Sequence, residues 1–359
     1  MLRAFDRARG SCSIAGRVSS SLRVAICYDG TALDEGMVFD SAAGEMVAVE
    51  SIIDVVVEME RALLSRGHRP SRLVLPGDPS AILRALADVE CDVVFNFVES
   101  LRGVAELEAA IRGAMSVRGI PVTGASLEGL ANCLSKPRAR ALAAAVGVPV
   151  PAGCVITSDA DDASHVPHPC IVKPAAQDAS HGIDAASVCK TPAETKARAL
   201  RLIERGLGAS LVEQYVDGRE YNVSMVEIVE NGKRTLKTLP IAEITFDGYP
   251  AGTPKILTYA AKWEQESPEY KGSVSVEAKD LSDDLRAQLT RHANAAFRAL
   301  SLSGYGRVDF RVDASGHPYV VDINPNPDFS RGAGFHLAGE RAGYSYEDLV
   351  EIVVRAAQP

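Results

Sequence analysis

Two glycine signatures are missing from the 359-residue chain. No G-x-G-x-x-G follows its first strand-like run and no G-x-x-x-x-G-K-[ST] occurs, which excludes a dinucleotide fingerprint and a phosphate loop. No apolar run approaches the ~20 residues of a membrane span. Positive charge is in deficit, 38 Lys and Arg against 47 Asp and Glu for a net charge of −9, which argues against a nucleic-acid surface. The seven cysteines are odd in number and have no C-x-x-C spacing. They read as reduced thiols in a cytoplasmic protein, not as a disulfide framework or a zinc site. His165 and His168 lack a third ligand in their Pro- and Asp-rich stretch and read as a solvated loop. Residues 1–20 carry Arg3, Arg7, Arg9 and Arg17 without an apolar core. They read as a flexible extension, or a start assigned too far upstream, and not as a secretory signal. No internal repeat or low-complexity tract is present.

What remains is globular, with 47% hydrophobic and 24% charged residues and a length that suits two or three domains. Ser21 to Gly30, Arg72 to Leu75 and Asp92 to Glu99 read as strands, and residues 31–46 as a mobile loop. Val49 to Leu64, Pro79 to Ala87 and Val104 to Arg118 read as helices. With Ile120 to Gly124 following, this alternation predicts a doubly wound parallel sheet over residues 21–125. Residues 126–147 form a helix pair, with Ser135 capping the second helix and Pro137 in its first turn. Pro169 to Pro174 is a strand ending at Lys173, followed by a small, polar loop over 175–182. Thr191 opens a helix to Arg205. Leu211 to Val216 and Glu220 to Val229 are strands, and Asn231-Gly232 turns the second into Arg234 to Ile241. Residues 246–275 read as loop, Leu281 to Ser301 and Tyr346 to Ala356 as helices.

The most informative stretch is Gly306 to Asp328. Residues 307–312 alternate charged and apolar side chains, Ala314-Ser315-Gly316 supplies a turn, and Tyr319 to Ile323 forms a second strand. Arg307 and Asp309 share one face of the first strand, Asp322 and Asn324 one face of the second. Paired as a hairpin, they bring three oxygen-bearing side chains and an arginine to one place. Hard oxygen ligands without thiolate or imidazole suit Mg²⁺, and the arginine suits developing negative charge. The stiff tail Asn324-Pro325-Asn326-Pro327-Asp328 favours a site over an ordinary surface hairpin.

Leu134-Ser135-Lys136, Ile171-Val172-Lys173-Pro174, Val212 to Val216 with Gly218 and Glu220, Lys262, Gly306 to Asp309, and Val321 to Asn324 stand in a recognisable order. In this the chain resembles the ATP-grasp superfamily, in its D-alanine–D-alanine ligase-like branch, over residues 21–356. The resemblance implies a mixed α/β and α+β fold. Its parts are a flexible extension (1–20), an N-terminal doubly wound substrate domain (21–125), a central subdomain (126–208) and a C-terminal catalytic subdomain (209–359). Antiparallel sheets of the last two clamp ATP. It further implies that Lys136, Lys173 and Lys262 contact the nucleotide, and that Ser180 lies in a flap over the phosphates. Glu213, Gln214, Tyr215 and Val216 would read adenine, and Glu220 the ribose. Asp309, Asp322 and Asn324 would hold Mg²⁺ or Mn²⁺, and Arg307 would stabilise the transferring phosphoryl group. The implied reaction joins a carboxylic acid to an amine through an acyl phosphate, in an enzyme that forms a homodimer.

Several positions depart from the family pattern. The middle metal ligand is Asp322 in place of glutamate. Ala179 replaces the flap serine and Trp263 the tyrosine after the late lysine, while Asp328 and Ala333 replace the glycine and serine near the second substrate. Glu45 and Glu50 are the candidates for the first-loop glutamate. The nucleotide half is thus kept and the substrate half changed. The expectation is a ligase for small-molecule acid and amine substrates other than D-alanine, an amino acid or small peptide. Asp328 suits a cationic partner, Arg331 a carboxylate, and Trp263 is a lid or stacking residue. The alternatives are a D-alanine–D-alanine ligase with an atypical site, or a non-catalytic ATP-binding protein.

Overall fold

The computed structural model describes residues 21–30, 42–177 and 180–358, with side chains of 42–51 excepted. Residues 1–20, Ala179 and the side chains of Glu45 and Glu50 lie outside the described residues, as does most of the loop expected over 31–46. That loop is shorter than expected at its end, because a helix already begins at Ala42.

The N-terminal part alternates β1 (Arg23–Asp29), α1 (Ala42–Ser65), β2 (Arg69–Leu75), α2 (Pro79–Asp88), β3 (Val93–Asn96) and α3 (Glu106–Val117). The three strands pair in parallel in the order β2-β1-β3. β1 is apolar without alternation because both its faces are covered: Val24, Ile26 and Tyr28 enter one core, Ala25 and Cys27 another. β2 starts three residues earlier than the sequence pattern indicates and contains Pro70, which an edge strand tolerates. Ile120 to Gly124 makes only an isolated parallel bridge, Val94 with Val122.

Next come α4 (Leu127–Leu134) and α5 (Lys136–Ala145), with Ser135 ending one and capping the other through the Arg138 amide. A small antiparallel sheet follows: β4 (Gly153–Ile156), β5 (Cys170–Pro174), β6 (Val188–Cys189) and β7 (Ser210–Gln214), in the order β4-β7-β5-β6. Helix α6 (Pro192–Glu204) covers it, sharing a core of Ile156, Val172, Leu202 and Val212. Because β7 pairs with both β4 and β5, the break expected at 208/209 falls inside this sheet, which extends to residue 214.

The large sheet holds β8 (Arg219–Glu230), β9 (Lys233–Thr238), β10 (Ala242–Thr245), β11 (Val274–Glu277), β12 (Tyr305–Val312) and β13 (Pro318–Asn324). Their order is β11-β10-β8-β12-β13, with β9 also on β8. Residues 246–275, read as loop from the sequence, contain the one-turn helices α7 (Tyr259–Trp263) and α8 (Pro268–Gly272) and the start of β11 at Val274. Tyr221, Val223, Met225, Val308, Phe310 and Ile323 form the buried face of the sheet, against Leu289, Ala293 and Phe297 of α9 (Asp283–Ala299). Each such fully buried apolar side chain stabilises the fold by roughly 1.5–3 kcal/mol. The opposite face carries Glu220, Asn222, Arg307, Asp309 and Arg311.

Helices α10 (Gly334–Arg341) and α11 (Tyr346–Ala357) close the chain. α11 returns to the N-terminal part, and Leu349, Val350 and Val353 share one core with Val24, Ile26, Val56 and Leu63. His68 accepts at Nδ1 from the Leu22 amide (3.2 Å), so its Nε2–H donates to Glu351 at 2.6 Å. No helix among the described residues is long and apolar enough to cross a membrane.

Candidate active site

One cleft is lined by residues of both antiparallel sheets. The large sheet supplies Glu220, Arg307, Asp309, Arg311, Asp322 and Asn324, and the small sheet Lys173, Glu213 and Gln214. Tyr215 and Val216 run between the two sheets, Lys136 projects from the start of α5, and Ser180 and Lys262 close the remaining sides. Every residue expected on the nucleotide and metal side therefore lines one space. Trp263, Asp328 and Arg331 are not among its lining residues. Trp263 sits beside Lys262 on α7. Exposed Asp328 accepts from the Ser330 amide at 2.8 Å. Arg331 pairs with Glu347 and lies 4.3 Å from the centre of the Tyr346 ring, so its charge is already met.

Strand register explains the convergence. Arg307 lies opposite Asn324 and Asp309 opposite Asp322, but Phe310 lies opposite Val320, leaving Val321 without a partner on β12. This bulge puts Val321 and Asp322 on the cleft side together and leaves Val320 and Ile323 in the core. The Val321 carbonyl accepts from Lys173 Nζ at 2.9 Å, so the small sheet is tied to the large one at the bulge.

The charges in the cleft are matched to one another. Arg307 grips Asp309 with both arms, Nε to Oδ1 at 2.7 Å and Nη2 to Oδ2 at 2.9 Å. Asn222 Nδ2 donates to the same Oδ1 at 2.8 Å. Lys136 Nζ donates to Asp322 Oδ1 at 3.1 Å. Burial opposes ionisation of Asp322, but Lys136, Lys173 and Lys262 outweigh it and hold this carboxyl well below the ordinary range. Burial, and then Arg307, pull the Lys262 ammonium below the ordinary lysine value. Burial pushes Glu220 up against the pull of Arg311. Glu213, 1% exposed, lies between Lys173 Nζ at 2.6 Å and Arg140 Nε at 2.7 Å.

Sequence reasoning missed three of these groups. Arg311 continues the alternation of Arg307 and Asp309. It bonds Glu220 Oε2, the Val216 carbonyl and the Tyr215 hydroxyl, each at 3.1 Å, bracing the inter-sheet segment. Arg140 lies one helical turn after Lys136. Asn222 is two residues from Glu220 on the same face of β8. Period-2 and i,i+4 spacing carried the signal in each case. In the segment expected as a flap, Ser180 Oγ donates to the Leu257 carbonyl (2.9 Å), and just after it the Ile183 carbonyl accepts from the Tyr259 amide (3.0 Å).

The donor set fits a hard divalent cation. Asp309, Asp322 and the Asn324 amide oxygen occupy neighbouring positions of two paired strands. No group of three or more His, Cys, Asp or Glu among the described residues could hold a metal unaided. Two carboxylates and an amide make a partial shell, the kind that phosphate oxygens and water complete around Mg²⁺.

Two antiparallel sheets closing on a cleft of lysines, an arginine and hard oxygen ligands, behind an α/β domain, constitute an ATP-grasp fold. A D-alanine–D-alanine ligase structure from Bacillus anthracis, complexed with ATP, superposes with a TM-score of 0.70 at 19% identity, covering 94% of this chain and 97% of that one. The family model for the D-ala D-ala ligase C-terminus matches residues 143–355. The chain belongs to this D-alanine–D-alanine ligase-like family of ATP-grasp ligases. An uncharacterized protein, y4sG of Sinorhizobium fredii, is 28% identical over 304 residues, 84% of this chain and 82% of the relative. A D-alanine–D-alanine ligase of Laribacter hongkongensis is 29% identical over 258 residues, 72% of this chain and 77% of the relative.

Proposed function

We propose that this ligase uses ATP to join a carboxylic acid to an amine through an acyl phosphate, and that its acid is an amino acid or small peptide other than D-alanine. The observation that carries this reading is the meeting of Lys136, Lys173, Lys262 and Arg307 with Asp309, Asp322 and Asn324 in one cleft. A cation held by these three oxygen ligands supplies charge neutralisation to the polyphosphate.

The protein's own groups do the rest. The segment from Glu213 to Val216 lies against the adenine, and Glu220 accepts from the ribose hydroxyls. A carboxylate oxygen of the acid attacks the γ-phosphorus as the bond to ADP breaks. Lys136 and Lys173 hold the polyphosphate, and Lys262 meets the γ-phosphate from α7. The amine then adds to the acyl carbon, Arg307 faces the resulting oxyanion, and collapse expels phosphate and leaves the amide. The fastened flap excludes water, which would otherwise hydrolyse the acyl phosphate.

Ala179, Trp263, Asp328 and Ala333 support a changed substrate, since each alters a side chain at a position that meets an amino acid in the family pattern. Exposed Asp328 suits an amine-bearing partner. Incubation with ATP, Mg²⁺ and a panel of amino acids, with mass spectrometry of the products, should yield ADP, phosphate and a new amide. D-alanine alone should yield no dipeptide; its efficient conversion would restore the parent activity. Folded protein that binds ATP and turns over nothing across a broad panel would favour a non-catalytic role.

A further inference from the structure

Each carboxylate of the cleft is met by a cationic side chain, and the pairing is specific. Five cationic groups, Lys136, Lys173, Lys262, Arg307 and Arg311, face four carboxylates, Glu213, Glu220, Asp309 and Asp322. The two carboxylates proposed to hold the cation each have a protein cation in its place. Arg307 covers both oxygens of Asp309, and Lys136 sits on Asp322 Oδ1 at 3.1 Å. A bidentate guanidinium–carboxylate pair in a mostly buried site is among the stronger ion pairs, and separating it without replacement leaves a buried charge uncompensated.

We propose that Arg307 and Lys136 are stand-ins that exchange partners on nucleotide binding, so that the site refuses a bare divalent cation and accepts one only together with a polyphosphate. This deepens the nucleotide-and-cation reading above and rests on it. In the exchange no net charge is stranded. The phosphates draw Arg307 and Lys136 off the carboxylates, and Asp309 and Asp322 turn to the cation. Arg307 thus has two stations, Asp309 in the resting site and the reacting phosphoryl and acyl groups in the loaded one. Its release makes productive acid binding depend on the nucleotide. Asn222, which also donates to Asp309 Oδ1, keeps that carboxylate aimed when the guanidinium leaves.

Binding, not turnover, tests this. Free Mn²⁺ is titrated by electron paramagnetic resonance against the full chain, with and without a non-hydrolysable ATP analogue. The wild type should bind Mn²⁺ alone at least about tenfold more weakly than with the analogue, a coupling of ordinary size. Arg307→Met should tighten binding of Mn²⁺ alone by about tenfold and shrink the analogue's enhancement. Arg307→Lys, which keeps a charge but loses the fork, should fall between and carries the same comparison if the methionine variant is misfolded by circular dichroism. Asp309→Asn should weaken Mn²⁺ binding in both arms. Arg307 variants that bind bare Mn²⁺ no more tightly than the wild type would overturn the exchange. A wild type that binds neither analogue nor Mn²⁺ in the analogue's presence would instead overturn the nucleotide reading itself.

Discussion

Asn222 and Lys262 act on the cleft in opposite senses, one by aiming a carboxylate and the other by lending a charge that burial weakens. Asn222 Nδ2 holds Asp309 Oδ1 at 2.8 Å, so Asn222→Ala should leave the fold intact and lower Mn²⁺ affinity in the presence of an ATP analogue by about 10–100-fold. For Lys262 the ammonium is the disfavoured form, through burial first and Arg307 second. It loses its proton at lower pH than an ordinary lysine. Bound phosphate supplies negative charge and raises it again. The alkaline limb of kcat/KM for ATP should therefore lie at lower pH than that of kcat, and Lys262→Arg should flatten both. Coincident limbs in the wild type would show that Lys262 does not report on the phosphates.

At the scale of single elements, the short ones decide the geometry. α7 has five residues and brings Lys262 to the cleft. It is held by Thr258 Oγ1, which accepts from the Ala261 amide at 3.0 Å. Thr258→Val should cost about 1 kcal/mol locally and raise KM for ATP, read by steady-state kinetics, with little change in global Tm. These elements were also the hardest to see in the sequence. The hairpin of β12 and β13 was legible because Arg307, Asp309 and Arg311 alternate with Val308, Phe310 and Val312, and α5 because Ser135 and Pro137 mark its start. α7 and α8 are too short to show a period, though Thr258, Ser267 and Pro268 mark their starts. β4 and β10, four residues each, are short for the same signal. The bulge at Val321 leaves no trace in composition, since one extra residue changes facing without changing hydropathy.

For the whole molecule, the last helix is part of the first core. α11 shares that core with β1, α1 and β3, a pairing between chain ends that no local pattern indicates. Buried His68 and half-buried Glu351 bond across it at 2.6 Å. Glu351→Leu should strand the His68 Nε2–H and cost roughly 1–3 kcal/mol. Glu351→Gln, whose amide oxygen still accepts from that N–H, should recover part of the loss. Thermal unfolding monitored by circular dichroism reads both, and a glutamine variant no more stable than the leucine one would mean that packing, not the bond, matters there. The substrate side of the site was legible only as difference: Ala179, Trp263, Asp328 and Ala333 say what is absent, and a lost contact does not name its replacement.

The bond from Lys173 to the bulged Val321 carbonyl also sets a rate-of-access property. A hydrogen bond from a charged donor is worth about 1.5–3 kcal/mol. Alone it biases the two jaws toward the shut position by a factor of about 10–150. It acts together with the Ser180–Leu257, Tyr259–Ile183 and Lys136–Asp322 bonds, so the jaws are held shut by more than this bond alone. When they part, Lys173 keeps Glu213 within its own sheet. The ammonium therefore stays oriented while the door stands open, and the charge proposed to bind phosphate is in position before its ligand arrives.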